Sequence, residues 1–205
     1  MTRLHLDAAA EHPAPQTIPL GFRGLFDWPD ISDEEAAQRG LPIYTPSNFD
    51  PDWERETFSF DVREDGSTSY NITIVPSDIG RARDVARLDL ATRRYAAEIG
   101  GMTFNGMRIP TDRETQSKVT SAYLKAQSVP DYAIPNWKVA AGEFVTLDAA
   151  TIIAIGDAMT AHVQSCFDRE AAISKLLDAE SKTEDLRATL AAEIDKGWPG
   201  QDAQA

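Results

Sequence analysis

Hydrophobic and polar residues alternate along residues 56–76, as they do in a β-strand with one covered face. A run on either side of Asp65-Gly66 places its large apolar groups at every second position: Phe58, Phe60, Val62, Tyr70, Ile72 and Ile74. Asp-Gly between two such runs is a preferred turn of a tight hairpin. The pattern therefore predicts an antiparallel β-hairpin that ends at Pro76.

Three longer stretches show a helical period and carry residues that typically start a helix. The first runs over 77–99 from a cap at Ser77 or Asp78, with an apolar stripe at three- and four-residue spacing: Val85, Leu88, Ala91, Tyr95 and Ile99. The second spans 112–127 behind a capping box made by Thr111 and Glu114. The third spans 148–180 and begins at Asp148. A final short helix is expected between a Thr183 cap and Gly197.

The helix over 77–99 also has a face of alternating charge. Its residues are Arg81, Arg83, Arg87, Arg93 and Arg94, interleaved with Asp84, Asp89 and Glu98. Such a face is typical of a helix surface in water, and we interpret it so. It is nevertheless the one surface of the chain on which basic residues predominate, and hence a second candidate docking surface.

The helix over 148–180 carries apolar residues at intervals of seven: Ile152, Met159, Cys166 and Ile173. The stripe is widened by Ile155, Val163, Leu176 and Leu177. A heptad of this kind suggests self-association through a coiled-coil seam, and so a homo-oligomer. Burial against the chain's own sheet explains the same stripe, and we favour that interpretation.

Two smaller hairpins are expected, at 101–109 and 137–147. Asn105-Gly106 tolerates the positive φ that both central residues of a type I′ turn require. Ala140-Ala141-Gly142 separates the strands of the other hairpin. We expect one core cluster formed by Trp137, Phe144, Ile152 and Met159, with Phe144 fully buried.

Residues 1–54 contain seven prolines and many large apolar groups. Proline excludes a long helix or a central strand, while disordered segments are usually poor in aromatic residues. One short helix is expected, with Ser32 as cap, Glu35 closing a capping box and Gly40 as stop. The segment is either an arm that folds against a partner or an arm packed on its own body. In the first case its interface residues are Phe22, Leu25, Phe26, Trp28, Tyr44, Phe49 and Trp53.

Together these patterns predict an α+β fold, with small antiparallel hairpins and three main helices behind an extended Pro-rich N-terminal arm. The expected parts are the arm (1–54), a hairpin with a charged helix (55–100), and a hairpin–helix–hairpin–long helix region (101–195). A loose tail (196–205) follows.

Composition narrows the range of functions. The formal net charge is −13, from 20 basic and 33 acidic residues, so phosphate backbones and anionic membranes would be repelled. We therefore expect no nucleic-acid partner. No apolar run approaches the ~20 residues of a membrane-spanning helix, and no signal segment opens the chain, so we expect no membrane insertion. Synthesis in the cytoplasm is the default expectation.

Candidate chemistry is sparse. His162 and Cys166 lie four residues apart on one helix face, but two ligands are too few for a metal site, and the other histidines, His5 and His12, fall in the arm. We interpret the pair as a buried cysteine beside a partly exposed histidine. The sequence contains no phosphate loop, nucleophile elbow or HExxH motif. We therefore expect no metal, no cofactor, no catalytic residues and no enzymatic activity.

Several motifs together resemble a domain-of-unknown-function family found in tailed-bacteriophage proteins. The resemblance covers about Arg87 to Leu190, with a weaker match in a leader from about residue 44, and it is carried by residues 101–118, 137–138, 142–145 and 161–167. Such proteins are typically encoded among tail-tip and tail-fibre genes, and the family has no known catalytic residues. The resemblance thus implies a non-enzymatic tail component, located in the virion and made in the bacterial host cytoplasm. Its expected partners are other tail proteins (fibre, hub or tip).

The sequence leaves open whether the protein stays in the mature phage particle. A structural protein stays in the virion, whereas a tail-fibre assembly chaperone leaves after assembly. The Pro-rich aromatic arm favours the structural role, because an arm that wraps its neighbours serves a lasting contact.

Overall fold

A computed structural model describes residues 4, 6–10, 15, 32–139 and 143–200. The chain divides into two compact units, Met1–Ser77 and Asp78–Ala205. The described elements mix helices with three two-stranded antiparallel sheets, so the predicted α+β class is confirmed. The turn expected at Ala140-Ala141-Gly142 and the last five residues of the tail lie outside the described residues.

The first unit is built on the predicted long hairpin. Strand β1 (Glu54–Val62) pairs with β2 (Thr68–Pro76), and the register places Phe58 opposite Ile72 and Phe60 opposite Tyr70. Gly66 has a φ of +83°, which an L-residue rarely adopts, so the Asp-Gly turn is used as predicted. The short helix α1 (Asp33–Gln38) also forms, with the Ser32 hydroxyl accepting the Glu35 N–H at 3.1 Å.

The N-terminal segment of this unit is held by backbone hydrogen bonds to the chain that follows α1. The N–H of Leu6 donates to the carbonyl of Pro42 at 3.1 Å, and the N–H of Tyr44 donates to the carbonyl of Leu4 at 2.9 Å. Four apolar side chains of this unit are buried: Leu6, Ala36, Leu41 and Trp53. Part of the Pro-rich region is therefore packed within its own unit.

The second unit contains the remaining elements. They are, in order, α2 (Ile79–Ile99), β3 (Met102–Phe104), β4 (Met107–Ile109), α3 (Arg113–Ser128), β5 (Ala133–Lys138), β6 (Phe144–Asp148), α4 (Ala149–Ala179) and α5 (Thr183–Glu193). Strands β3 and β4 are joined by Asn105-Gly106, whose φ angles are +47° and +77°. Strand β5 starts earlier than expected because an irregularity between Ile134 and Trp137 accommodates Pro135.

Two of the long helices begin at predicted aspartate caps. Asp78 and Asp148 cap α2 and α4 as predicted, each accepting a backbone N–H of the first turn. The prediction of Thr111 as cap of α3 is wrong. Its hydroxyl accepts the N–H of Gly101 at 2.8 Å and donates to the carbonyl of Glu98 at 2.5 Å, so Asp112 caps the helix instead.

The cap of α5 is also corrected. Thr183 is the first residue of this helix, and Lys182 holds the cap position without a side-chain cap bond. The helix ends at Glu193, before the expected stop at Gly197, although Gly197 does have a φ of +68°, which suits glycine.

One apolar cluster joins α3, α4 and the two short hairpins. It contains Ile152 and Met159, and Trp137 packs against it while partly buried. The prediction that Phe144 is buried there is wrong, because its side chain is 64 % exposed. Strand β6 alternates its faces, and Leu147, three residues on, is the one that points into the cluster.

The seven-residue stripe of α4 is fully used within the unit. Ile152, Met159, Cys166 and Ile173 are all at most 5 % exposed. Helix α4 packs against α2, α3 and α5, so helices rather than the expected sheet cover most of the stripe. A self-association seam made of these four residues is therefore not available.

The predicted apolar stripe of α2 is wrong. Its buried residues are Ala82, Ala86, Leu90, Ala97 and Glu98, whereas Leu88 is 69 % exposed and Tyr95 41 %. The buried face consists mainly of small residues because α2 packs closely against α4 and α5. Large side chains on the opposite face are left facing outward.

Candidate docking surfaces

The predicted interface residues in the first unit have different surroundings. Phe22, Leu25, Phe26 and Trp28 lie outside the described residues. Tyr44 and Phe49 are half-buried, and Trp53 is 8 % exposed. Trp53 is already buried within its own unit, and such burial is not expected of an interface anchor in the free chain.

Tyr44 is fixed on the β1–β2 hairpin by polar and aromatic contacts. Its hydroxyl donates to Glu56 Oε2 at 2.5 Å, and its ring meets Phe58 edge to face with 6.0 Å between centroids. Burial, followed by the hydrogen bond to Glu56, raises the pKa of Tyr44 to about 12. The ring is therefore held neutral and in place as part of the unit.

The same carboxylate also organises the backbone that precedes the hairpin. Glu56 Oε1 accepts the N–H of Ser47 at 2.9 Å, and the hydroxyl of Tyr70 accepts the N–H of Thr45 at 2.8 Å. Side chains on β1 and β2 thus satisfy backbone N–H groups of the Pro-rich segment that precedes the hairpin. The carboxylate of Glu56 on the hairpin therefore has a structural role.

The charged face of α2 is not a simple solvent face. Arg87 pairs with Asp178 at 3.0 Å, Arg93 pairs with Asp195 at 3.0 Å, and Arg83 donates to the carbonyl of Glu180 at 2.7 Å. These partners lie at the end of α4 and after α5. The solvated interpretation is therefore wrong for part of this face, since several arginines join α2 to its neighbouring helices.

The side chain of Glu98 is the charged group at the centre of this arrangement and is only 2 % exposed. It pairs with Arg94 on its own helix and with Arg113 of α3 at 3.2 Å. Arg94 also pairs with Glu170 of α4 at 3.2 Å and lies 4.5 Å from the ring centroid of Phe167. The cluster joins α2, α3 and α4 and pairs the buried charge.

The residues His162 and Cys166 do lie on one face of α4, but both are buried. The ring Nε2 of His162 lies 3.3 Å from the carbonyl of Ala97, and Cys166 is fully buried. The expected partly exposed histidine is thus corrected to a buried one, at 7 % exposure. Burial, with the charge of Glu98 nearby, raises the pKa of the Cys166 thiol to about 11, which leaves it unreactive at neutral pH.

Metal ligation can be judged only where side chains are placed. Within the described ranges, no group of three or more His, Cys, Asp and Glu side chains is arranged to hold a metal ion. The expectation of a metal-free protein stays a prediction.

An open groove of about 910 Å³ lies between α3 and α4. Its lining is mainly apolar and includes Val119, Tyr123, Leu124, Val163 and Phe167. Leu124 is 61 % exposed and Phe167 45 %.

The floor of this groove is shaped by glycine. A Cβ added to Gly156 would come within 2.4 Å of Tyr123 Cδ2, so the aromatic ring lies directly over the backbone of α4. A hydrogen bond to Asp157 raises the pKa of Tyr123. The ring therefore has a fixed edge at the rim of an apolar surface.

A profile scan matches residues 81–195 to a domain of unknown function, DUF4376. The match covers more than half of the chain. The chain belongs to the DUF4376 family. Neither a curated protein nor a solved structure matches it.

The DUF4376 match contains the groove and the buried ion pairs around Glu98. Tyr44, Phe49 and Trp53 lie before it. Sequence reasoning placed the interface in the N-terminal arm and did not identify the α3–α4 groove. The available signal was two large apolar residues, Leu124 and Phe167, of which Phe167 lies outside the apolar stripe of its helix.

The sequence also predicts that the chain does not insert into a membrane. In the portion of the chain that is described, the helices lack the combined length and apolar character that crossing a bilayer would demand.

Proposed function

We propose that the chain is a non-enzymatic component of a bacteriophage tail, in the tip or fibre region, and that it acts by docking other tail proteins. The phage context is supported by the resemblance carried by residues 101–118 and 161–167, which lie inside the DUF4376 match. Its partners in this proposal are fibre, hub or tip proteins, and its location is the virion after synthesis in the host cytoplasm.

The open α3–α4 groove is the observation that carries the docking role. It leaves Leu124 and Phe167 in water, and covering apolar surface is worth about 25 cal/mol per Å². Contiguous apolar surface rimmed by polar groups marks an interaction site more often than isolated exposed residues do. Here the polar rim includes Gln116, Thr120 and Asp157.

The first experiment asks whether the chain is a lasting part of the particle. Purified virions of the encoding phage are analysed by quantitative mass spectrometry, and a fixed stoichiometry relative to known tail proteins is expected. Absence from mature virions, with presence in assembly intermediates, would favour the alternative role of a tail-fibre assembly chaperone. Absence from both would contradict the proposal.

The second experiment tests the groove. Leu124→Asp should prevent incorporation into the tail, because it places a charge on the exposed apolar lining, while leaving the fold intact. Leu88→Asp is the matched control, since Leu88 is similarly exposed at 69 % but lies on α2. Equal incorporation of both variants would show that the groove is not the docking surface.

Removal of residues 1–54 tests the N-terminal arm independently. If the arm makes the main contact, the second unit (Asp78–Ala205) of the truncated chain still folds, but the chain does not join the tail. If that variant still assembles, docking occurs through residues 55–205, which include the DUF4376 domain.

A further inference from the structure

A cleft of about 180 Å³ lies where the end of α2 meets the β3–β4 hairpin and the segment after α5. Two arginines line it, Arg93 from α2 and Arg108 from β4, together with Trp198. Both arginines are half-buried, and the Arg93 side chain is 24 % exposed. Two guanidinium groups in one small cleft are unusual on a chain whose net charge is −13.

Both guanidinium groups are held in place by neighbouring residues, two of which, Trp198 and Gly100, also line the cleft. Arg93 donates through Nε to Asp195 Oδ1 at 3.0 Å and lies 5.3 Å from the ring centroid of Trp198. Arg108 donates through Nη2 to the carbonyl of Gly100 at the end of α2. Within the described residues these are the hydrogen bonds of the two groups, and a guanidinium has five N–H donors. Several donors on each group thus have no acceptor among those residues.

The cleft stays open because glycines form part of its wall. A Cβ at Gly101 would lie 3.1 Å from Arg108 Cζ, and a Cβ at Gly200 would lie 3.1 Å from the carbonyl oxygen of Gly101. Gly101 and Gly200 also have φ angles of +89° and +82°, so both positions favour glycine by conformation. The space beside the two arginines therefore depends on residues without side chains.

We propose that this cleft binds the carboxylate of an acidic side chain presented by a partner protein. The planar fork of arginine matches a carboxylate through two parallel N–H···O bonds. The C-terminal end of α2, which contributes Ala97 and Gly100 to the lining, carries partial negative charge, and this disfavours a more highly charged phosphate relative to a singly charged carboxylate. The source of the carboxylate rests on the proposed docking function, whereas the binding itself does not.

The test uses the isolated full-length chain and sodium propionate, which has the carboxylate and methylene group of a glutamate side chain. The indole N–H resonance of Trp198, assigned by its loss in Trp198→Phe, is followed by NMR at constant ionic strength. We expect a saturable shift, with affinity reduced at least tenfold in Arg93→Gln and in Arg108→Gln. Arg87→Gln is the matched control, because Arg87 is on the same helix and pairs with Asp178 away from the cleft.

Arg108→Lys provides a second variant that retains the charge without the fork, in case Arg108→Gln loses its folded spectrum. It is also expected to weaken propionate binding. A shift that does not saturate in the wild-type chain, or one that survives in both arginine variants, would overturn the site. Tighter binding of inorganic phosphate than of propionate would overturn the carboxylate assignment. Because these readouts need no virion, their failure is separate from failure of tail incorporation.

Discussion

The two units of the chain are stabilised in different ways. In Met1–Ser77, the described buried apolar groups are few, and side chains of the two-stranded sheet accept hydrogen bonds from the preceding segment: Glu56 from the Tyr44 hydroxyl and Tyr70 from the N–H of Thr45. In Asp78–Ala205, long helices bury continuous apolar stripes around a paired, buried Glu98. A lone hairpin is marginal in water, so side-chain hydrogen bonds have a larger relative role in the first unit.

The helical period predicted the buried face of α4 correctly but not that of α2. The stripe of α4 is buried where the period indicated, since α4 is covered by three other helices. On α2, by contrast, small residues and arginines face the neighbours while Leu88 and Tyr95 face outward. The identity of the covering elements, rather than the period, decided between the two faces.

The largest expected effect is at the centre of the α4 stripe. Ile173 is fully buried, so Ile173→Ala should lower the free energy of unfolding of the second unit by about 2–5 kcal/mol, through lost burial and a cavity. Urea unfolding followed by far-UV circular dichroism measures this. Leu176→Ala, at a position 46 % exposed on the same helix, is the control. Equal losses in the two variants would contradict the assignment of the buried face.

The next effect concerns the buried charge cluster. Glu98→Gln should cost on the order of 3 kcal/mol, because Arg94 and Arg113 lose the carboxylate that they share. The same unfolding measurement applies. Glu114→Gln removes the exposed pair with Lys118 and should cost less than about 1 kcal/mol. A loss below that value for Glu98→Gln would show that the cluster contributes little to stability.

A smaller effect is expected in the first unit. Tyr44→Phe removes the hydrogen bond to Glu56 and should cost about 1 kcal/mol, with Tyr95→Phe as control. The pKa of Tyr44 is raised from 10.0 to about 12, so its contribution is complete below about pH 10 and is lost as the pH rises towards 12. Near-ultraviolet absorbance titration should show a late tyrosine ionisation that is lost in Tyr44→Phe. A titration unchanged by Tyr44→Phe would exclude this assignment.

The smallest effect is expected at Phe144. Its side chain is 64 % exposed, so Phe144→Ala should change the free energy of unfolding by no more than about 0.5 kcal/mol. Leu147→Ala, three residues further on in β6 and 3 % exposed, should cost about 2–5 kcal/mol. Thermal unfolding of the two variants compares the faces of one strand directly. A large loss in Phe144→Ala alone would restore the original sequence prediction.

Local sequence determined most elements of this fold. Asp65-Gly66 and Asn105-Gly106 place two hairpin turns, and Asp78 and Asp148 start two helices, because turn conformations and helix caps depend on neighbouring residues. The α+β class followed from these signals. The cap of α3 was misassigned because Thr111 has a distant partner, the carbonyl of Glu98, that local sequence does not reveal.

Only the tertiary structure decided which surfaces are covered and which groups meet. The pairing of Glu98 with Arg113, the exposure of Leu124 beside the α3–α4 groove, and the convergence of Arg93 with Arg108 all join residues from different elements. Such contacts depend on how the helices and hairpins pack, and a period gives the faces of one element without naming its neighbour. For this protein, the sequence determines the elements through local backbone preferences, and packing determines the candidate docking surfaces.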